Sequence, residues 1–419
     1  MSQKLQPVRG TQDILPEEFA KHRHVIDTAR RVGALYGFKE MATPIFEFTE
    51  VFKRTLGETS DVVNKEMYTF EDKGGESITL RPEFTAGIAR AFISGGLQEK
   101  LPIKYFSTGP LFRYERPQKG RYRQFHQINF EWLGNADPLA DVELILMAAD
   151  ILEDLGILSK TKLNLNSLGD QETRQNYRAA LVKYFSEHKN GLSEDSKVRL
   201  DKNPLRILDS KDEGDKKIVQ NAPLMGEYYS AAAKAFFETV TARLKDSIYG
   251  DRVVINPKIV RGLDYYSHTV FEFIAESDEL GSQNTVLAGG RYDGLIKTMG
   301  GPETPAVGFA AGIERLALMV HNTPASIAPV AIIPMGEAEV VEALKLASSL
   351  RHGGIAVEFI AGGNVGKAMK KADKAGAKHA LILGSNELNN GKVVHKDLAT
   401  GQQNEVSRAP ETLIPILKK

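Results

Sequence analysis

Between Lys104 and Leu133 the chain alternates apolar and polar positions on either side of a basic turn. The pattern predicts a strand, a turn and a second strand. Gly109, Pro110, Pro117 and Gly120 punctuate it, and Tyr, Phe, Ile and Trp fill its flanks. On the second strand the two-residue period sends Phe125, Gln127, Asn129 and Glu131 to one face. His126, Ile128, Phe130 and Trp132 go to the other. A face carrying two amides and a carboxylate is costly to bury with nothing on it. It either meets solvent or carries something polar. The turn concentrates Arg113, Arg116, Lys119, Arg121 and Arg123 against one acid, Glu115.

Elsewhere the helical period dominates. Pro16 opens a helix with Val25, Ala29, Val32 and Leu35 on one stripe; Gly37 ends it and a strand follows to Pro44. That unit is either core or a subunit interface. Residues 76–93 switch from strand to helix at Arg81-Pro82, with the proline in the helix's first turn. Glu83 and Thr85 then lie beside its exposed amides. Glu83 is there either as a partner for the helix dipole or as a carboxylate held for a cationic ligand group. Helix 138–155 carries a stripe of Leu144, Met147, Ile151 and Leu155, and a strand follows. Residues 170–250 read as a helical insertion with long charged tracts, which either face solvent or touch a large polyanion.

Strand character returns at 251–274, which contains the cluster Arg261-Gly262-Leu263-Asp264-Tyr265-Tyr266. In the Gly-rich turn Ala288–Gly294, the Gly289-Gly290 pair makes either a hairpin turn or a close backbone approach to a ligand. Residues 306–320 predict a short strand running into a helix. Phe309, Ile313, Leu316 and Val320 form its stripe, leaving Arg315 near the helix N-terminus, where an anion is also favoured. After a linker at 323–329, two βαβ crossovers predict a small parallel-sheet domain. Its second helix carries Lys367, Lys370, Lys371 and Lys374, with Lys378 just beyond. This is a solvent face or a phosphate-backbone stripe.

Composition narrows the classes. A chain of 419 residues is long for one core and points to two or three domains. Its formal charge of zero makes any polyanion site a local patch. Absence of cysteine rules out disulfide and thiolate chemistry and fits a reducing compartment. No apolar run approaches the roughly 18 residues of a membrane span, and the N-terminus lacks a signal peptide's apolar core. A cytoplasmic protein without membrane contact is expected. The nine histidines show no metal-ligand spacing. His22 and His24, two apart on a helix, face different directions.

Taken together and in order, FKRTLGETSDVVNKEMYTFED, TLRPE, FRYERPQKGRYRQFHQ, NPLRILDSK, RGLDYY, AGGRYDG and GFAAGIER span essentially the whole chain. They resemble the class II aminoacyl-tRNA synthetases, and specifically the bacterial-type histidyl-tRNA synthetases. RGLDYY is the most specific of them. One departure is Phe84, where the family commonly has Gly, which bears on local packing rather than activity. The resemblance implies an α+β fold: an antiparallel-sheet catalytic domain over 1–168 and 251–322, a helical insertion over 169–250, the linker 323–329, and an α/β anticodon-binding domain over 330–419. It implies ATP, with Mg²⁺ on the pyrophosphate side, L-histidine, tRNA(His) and a homodimer.

The same resemblance distributes roles. Arg113 would clamp the α-phosphate and the histidine carboxylate. Arg121 and Arg315 would hold the outer phosphates, with Glu115 in the same ATP site and Tyr122 and Phe125 supporting adenine. Arg261 would act as electrophilic catalyst beside the α-phosphate and the histidine. Glu131 and Tyr266 would read the imidazole, Tyr265 and Tyr292 would line its pocket, and Glu83, Thr85 and Gln127 would receive the α-amino and carboxylate groups. Arg116 and Gln118 would meet the acceptor end of the tRNA. The rival is an inactive, histidine-sensing regulatory subunit of ATP phosphoribosyltransferase. Such proteins typically lack the C-terminal domain and have eroded motifs, whereas this chain carries both the domain and the motifs.

Overall fold

The first long element, α1 (Pro16–Leu35), buries Val25, Ala29 and Val32. Leu35, expected on the same stripe, is exposed, because 100° per residue carries it about 80° away from Val25. The strand expected up to Pro44 is only β1 (Lys39–Glu40). Then come β2 (Phe46–Phe48), α2 (Thr49–Leu56), β3 (Tyr68–Glu71), β4 (Ser77–Leu80), α3 (Thr85–Ser94), β5 (Ile103–Phe112) and β6 (Gln124–Leu133). Next are α4 (Pro138–Asp154), β7 (Thr161–Ser167), α5 (Gln171–Glu187), α6 (Glu194–Lys202), α7 (Glu213–Val219) and α8 (Ala231–Lys245). The unit closes with β8 (Val253–Ile255), β9 (Ser267–Ala275), β10 (Thr285–Arg291), α9 (Leu295–Thr298), β11 (Ala306–Gly312) and α10 (Ile313–Met319). The computed structural model describes residues 4–57, 62–208, 210–259, 265–276, 280, 284–324, 327–361 and 364–418.

Eight strands form one sheet in the order β1-β5-β6-β11-β10-β9-β7-β8. It is antiparallel apart from the outermost pairs, β1 with β5 and β7 with β8. A second sheet, β2-β4-β3, was not apparent from the pattern of its short strands. The main core joins Val25, Ala29 and Val32 of α1 to Ile128, Phe130 and Trp132 of β6 and to the whole α4 stripe. Val240 and Leu244 of α8 enter this core, while Tyr177, Leu181, Phe185 and Leu200 make a separate one around α5 and α6.

Two local expectations change. Pro82 precedes the helix instead of occupying its first turn, because α3 begins only at Thr85. Gly289 and Gly290 lie inside β10 rather than in a turn. A Cβ at Gly289 would strike the Gly308 carbonyl, and one at Gly290 the Thr269 carbonyl. The pair lets β9, β10 and β11 approach closely.

Residues Met1–Thr323 form one compact unit and Pro324–Lys419 another. The second contains β12 (Val330–Pro334), α11 (Glu337–His352), β13 (Val357–Phe359), α12 (Val365–Lys374), β14 (His379–Leu383), α13 (Ser385–Asn389), β15 (Lys392–Asp397), β16 (Gln403–Ser407) and α14 (Pro410–Leu417). Its sheet runs β13-β12-β14-β15-β16. The first three strands are parallel, as the crossovers predict, and an antiparallel pair extends the edge. On α12, Ala368 and Ala372 are buried, and Lys367, Lys370, Lys371 and Lys374 are exposed, as is Lys378.

Candidate active site

A cavity of about 480 Å³ opens on the sheet face formed by β6, β10 and β11. The alternation of β6 holds, so Phe125, Gln127, Asn129 and Glu131 all line it. Glu131 is 1% exposed and lies opposite Gly308 of β11. Its carboxylate takes the hydroxyl of Thr85 at 2.5 Å, the amide of Asn129 at 3.0 Å and the phenol of Tyr292. Burial pushes the Glu131 carboxyl up to about 7, although all three donors act against that rise. Glu83, on the next wall, accepts the N–H groups of Thr85 at 3.0 Å and Ala86 at 2.6 Å. Burial pushes this carboxyl up too, opposed by those donors and by the charge of Arg113.

Cations gather at the other end. The Arg113 Nε–H donates to the Pro82 carbonyl at 2.9 Å, and its guanidinium stands 5.4 Å from the centre of the Phe125 ring. Arg121 grips Glu115 through Nε and Nη2. Burial alone would raise the Glu115 carboxyl, but Arg121's hydrogen bonds and the charges of Arg113, Arg121 and Arg315 hold it below the usual range. Arg315 donates to the Thr285 carbonyl at 2.7 Å and the Gly120 carbonyl at 3.3 Å. Burial and the nearby Arg121 lower its pKa. Gly120 (φ +70°) packs against the Arg315 side chain and ties the basic turn to α10.

The aromatic wall is continuous. Tyr265 lies 4.7 Å from Tyr266 and 5.6 Å from Tyr292, ring centre to ring centre. Tyr122 lines the cavity near the cations. Phe84 is fully buried with Ile88, Leu111 and Tyr292, and the Arg81 guanidinium stands 4.4 Å from its ring. That packing accounts for the bulky residue at 84.

Thirteen of the residues singled out from sequence therefore share one cavity: Glu83, Thr85, Arg113, Glu115, Arg121, Tyr122, Phe125, Gln127, Glu131, Tyr265, Tyr266, Tyr292 and Arg315. Arg116 and Gln118 do not line it and are exposed at the tip of the β5–β6 turn, where Gln118 pairs with Arg121. Arg261 lies outside the described residues, as do Gly262, Leu263 and Asp264.

Sequence reading passed over Glu314. It lines the cavity and meets His22 and His126, with one donor atom from each of the three within 4.8 Å. Spacing along the chain could not show this group, which comes from three elements. The Glu314 carboxylate accepts the His126 backbone N–H at 2.9 and 3.0 Å and contacts its Nδ1 at 2.8 Å. It is thereby committed to fastening α10 to β6. Burial lowers the His22 pKa and keeps that ring neutral.

Comparison with known proteins places this geometry in a lineage. Residues 10–316 match the family model described as histidyl-tRNA synthetase, and residues 329–418 match that of an anticodon binding domain. A histidine–tRNA ligase of Rhodospirillum rubrum is 56% identical over 406 residues, covering 97% of each chain. One from Gluconacetobacter diazotrophicus is 54% identical, covering 96% of each. The crystal structure of apo S. aureus histidyl-tRNA synthetase superposes with a TM-score of 0.84 at 36% identity, covering 99% of this chain and 100% of that one.

Proposed function

The chain belongs to the histidyl-tRNA synthetase family, and from that premise we propose that it activates L-histidine with ATP and transfers it to the 3′ end of tRNA(His). One observation carries the reading. A single cavity has a carboxylate-rich end at Glu83 and Glu131 and a guanidinium end at Arg113, Arg121 and Arg315. An amino acid with a basic ring fits the first end and a triphosphate the second.

In the first step, a histidine carboxylate oxygen attacks the α-phosphorus in line. The new C–O–P bond forms as the α–β bridging P–O bond breaks, and pyrophosphate leaves with that electron pair. The step needs alignment and positive charge more than proton transfer. Arg113, the guanidinium whose charge also acts on Glu83, binds the α-phosphate and the histidine carboxylate together. Arg121 and Arg315 bind the outer phosphates, where planar guanidinium gives paired hydrogen bonds. Glu115 holds Arg121 in place, and Tyr122 and Phe125 support adenine. Glu83, Thr85 and Gln127 receive the α-amino and carboxylate groups. Glu131 and Tyr266 meet the imidazole, with Tyr265 and Tyr292 closing the pocket around it. Arg261 acts as electrophilic catalyst, its charge stabilising that which develops on the α-phosphate.

Mg²⁺, when bound with ATP, would supply counter-charge on the pyrophosphate side. Glu115 and Glu314 are already engaged by Arg121 and His126, so they do not form a carboxylate cage for it. In the second step the terminal ribose hydroxyl of the tRNA attacks the adenylate carbonyl; the acyl C–O bond breaks and AMP leaves, its phosphate taking the hydroxyl proton. Arg116 and Gln118 face the acceptor end, and the α12 lysines contact the tRNA backbone. The chain works as a cytoplasmic homodimer. Exposed Ile45, Phe46, Phe48 and Phe70 on and beside the small sheet support self-association. No helix among the described residues is long and apolar enough to cross a membrane.

The arginine set and the matched anticodon-binding region set this reading above the regulatory-subunit alternative. The test is exchange of labelled pyrophosphate into ATP by purified protein. Histidine-dependent exchange, followed by charging of tRNA(His), is expected. Histidine binding without exchange would instead favour the regulatory subunit.

A further inference from the structure

Asn129 sits at the centre of the recognition floor, 2% exposed, and none of the roles above involves it. Its Nδ2 donates to Glu131 Oε1 at 3.0 Å and to the Phe309 main-chain carbonyl at 3.3 Å. A carbonyl can only accept, so Phe309 fixes which way the amide points. Turned over, the amide would set its oxygen against two acceptors. Asn129 can therefore present only a donor to Glu131. The orientation has a cost: among the described residues, the buried Asn129 Oδ1 has no hydrogen-bond partner. Such an orphan costs about 1–3 kcal/mol. An apolar residue at this position would remove that cost but would also deprive Glu131 of a donor.

Glu131 depends on such donors because it takes part in none of the ion pairs among the described residues. Among the described residues, the groups that act most on its carboxyl include no cation. Glu83, from the α3 side, is an acid that disfavours a second charge. Tyr292, beyond the end of β10, and Tyr265 have pKa values well above their ordinary range and stay neutral. Opposite, β11 offers only Gly308. Thr85, Tyr292 and Asn129 are thus the donors that favour the charged form of this carboxyl against burial.

We propose that Asn129 is a positioning residue for histidine selection: its amide, locked by the Phe309 carbonyl, favours the ionised, accepting form of Glu131 toward the imidazole N–H. The inference rests on the reading that Glu131 meets the ring. Without the Asn129 donor, burial dominates and Glu131 holds its proton to higher pH. A protonated Glu131 offers the ring a donor where an acceptor is required.

The test is histidine-dependent pyrophosphate exchange by the full chain, from about pH 6 to about pH 9, for wild type, Asn129→Ala and Asn129→Leu. The leucine variant keeps the branching at Cγ, is bulkier rather than smaller, and removes the donor, so a cavity defect peculiar to alanine is recognised. The ratio of wild-type to variant kcat/KM for histidine cancels the titration of histidine itself. At about pH 7 it should be about tenfold or more in both variants, and it should shrink to about threefold or less near pH 9. The KM for ATP should stay constant. A ratio independent of pH, or no loss at all, overturns the proposal. Glu131→Gln separates the two levels. If it leaves the KM for histidine unchanged, the reading of Glu131 fails. If it raises that KM while the Asn129 variants show a flat ratio, the role of Asn129 alone fails.

Discussion

Glu131 rests its carboxylate over the bare α-carbon of Gly308, its partner across the β6–β11 ladder, in the space that a β-carbon at 308 would fill. The recognition floor thus requires two residues, one to supply the acid and one to leave room for it. Gly308→Ala should push Glu131 out of line. A displacement of that kind costs roughly 10²-fold in kcat/KM for histidine. The KM for ATP should change little. Pyrophosphate exchange at varied histidine and ATP checks both.

Stability should respond to the same carboxyl. Its pKa rises from the ordinary 4.5 to about 7 in the folded chain, so between those values the folded state binds more protons than the unfolded state. Stability from this group therefore falls as pH rises through that window. The rise corresponds to a cost on the order of 3 kcal/mol above pH 7. Glu131→Gln has no such charge to bury. Its melting temperature relative to wild type should climb between about pH 5 and about pH 8. Parallel melting curves at the two pH values would show that the carboxyl is not raised.

Arg113→Ala should lower histidine-dependent exchange by roughly 10²-fold or more, because in the proposed step one guanidinium would serve both reacting groups. Arg113→Lys should not restore it fully, since an ammonium cannot form the paired contacts. Steady-state kinetics with both variants tests this. Full recovery with lysine would reduce the role of Arg113 to that of a point charge.

Charge reversal of Lys367, Lys370 and Lys374 to Glu on α12 should weaken tRNA charging and flatten its salt dependence. All three are exposed, so folding should be unaffected. Pyrophosphate exchange, which needs no tRNA, should keep its wild-type rate. Equal loss in both assays would place the effect outside tRNA binding.

The site was legible where local periodicity carries it. The two-residue alternation of β6 put Gln127, Asn129 and Glu131 on one face, and that face is the cavity floor. What held Glu131 there was not legible, because Thr85 is 46 residues away and Tyr292 161. Neither spacing leaves a trace in a local pattern. Gly289 and Gly290 misled for the same reason, since the strands that crowd them are distant in sequence. Short strands were the other blind spot. β2 has three residues, too few for alternation to register, so the small sheet emerged only from pairing. Leu35 marks the opposite case, a real helical stripe extended one turn too far.

On the proposed function, this cavity selects an amino acid by hydrogen bonding to its ring. Comparing pyrophosphate exchange with histidine and with thienylalanine, a ring of similar size that lacks both nitrogens, tests it most directly. A floor of buried polar groups left unpaired by the analogue should reject it by roughly 10⁴-fold in kcat/KM. Discrimination of less than about tenfold would mean that shape alone is read, and would contradict the account.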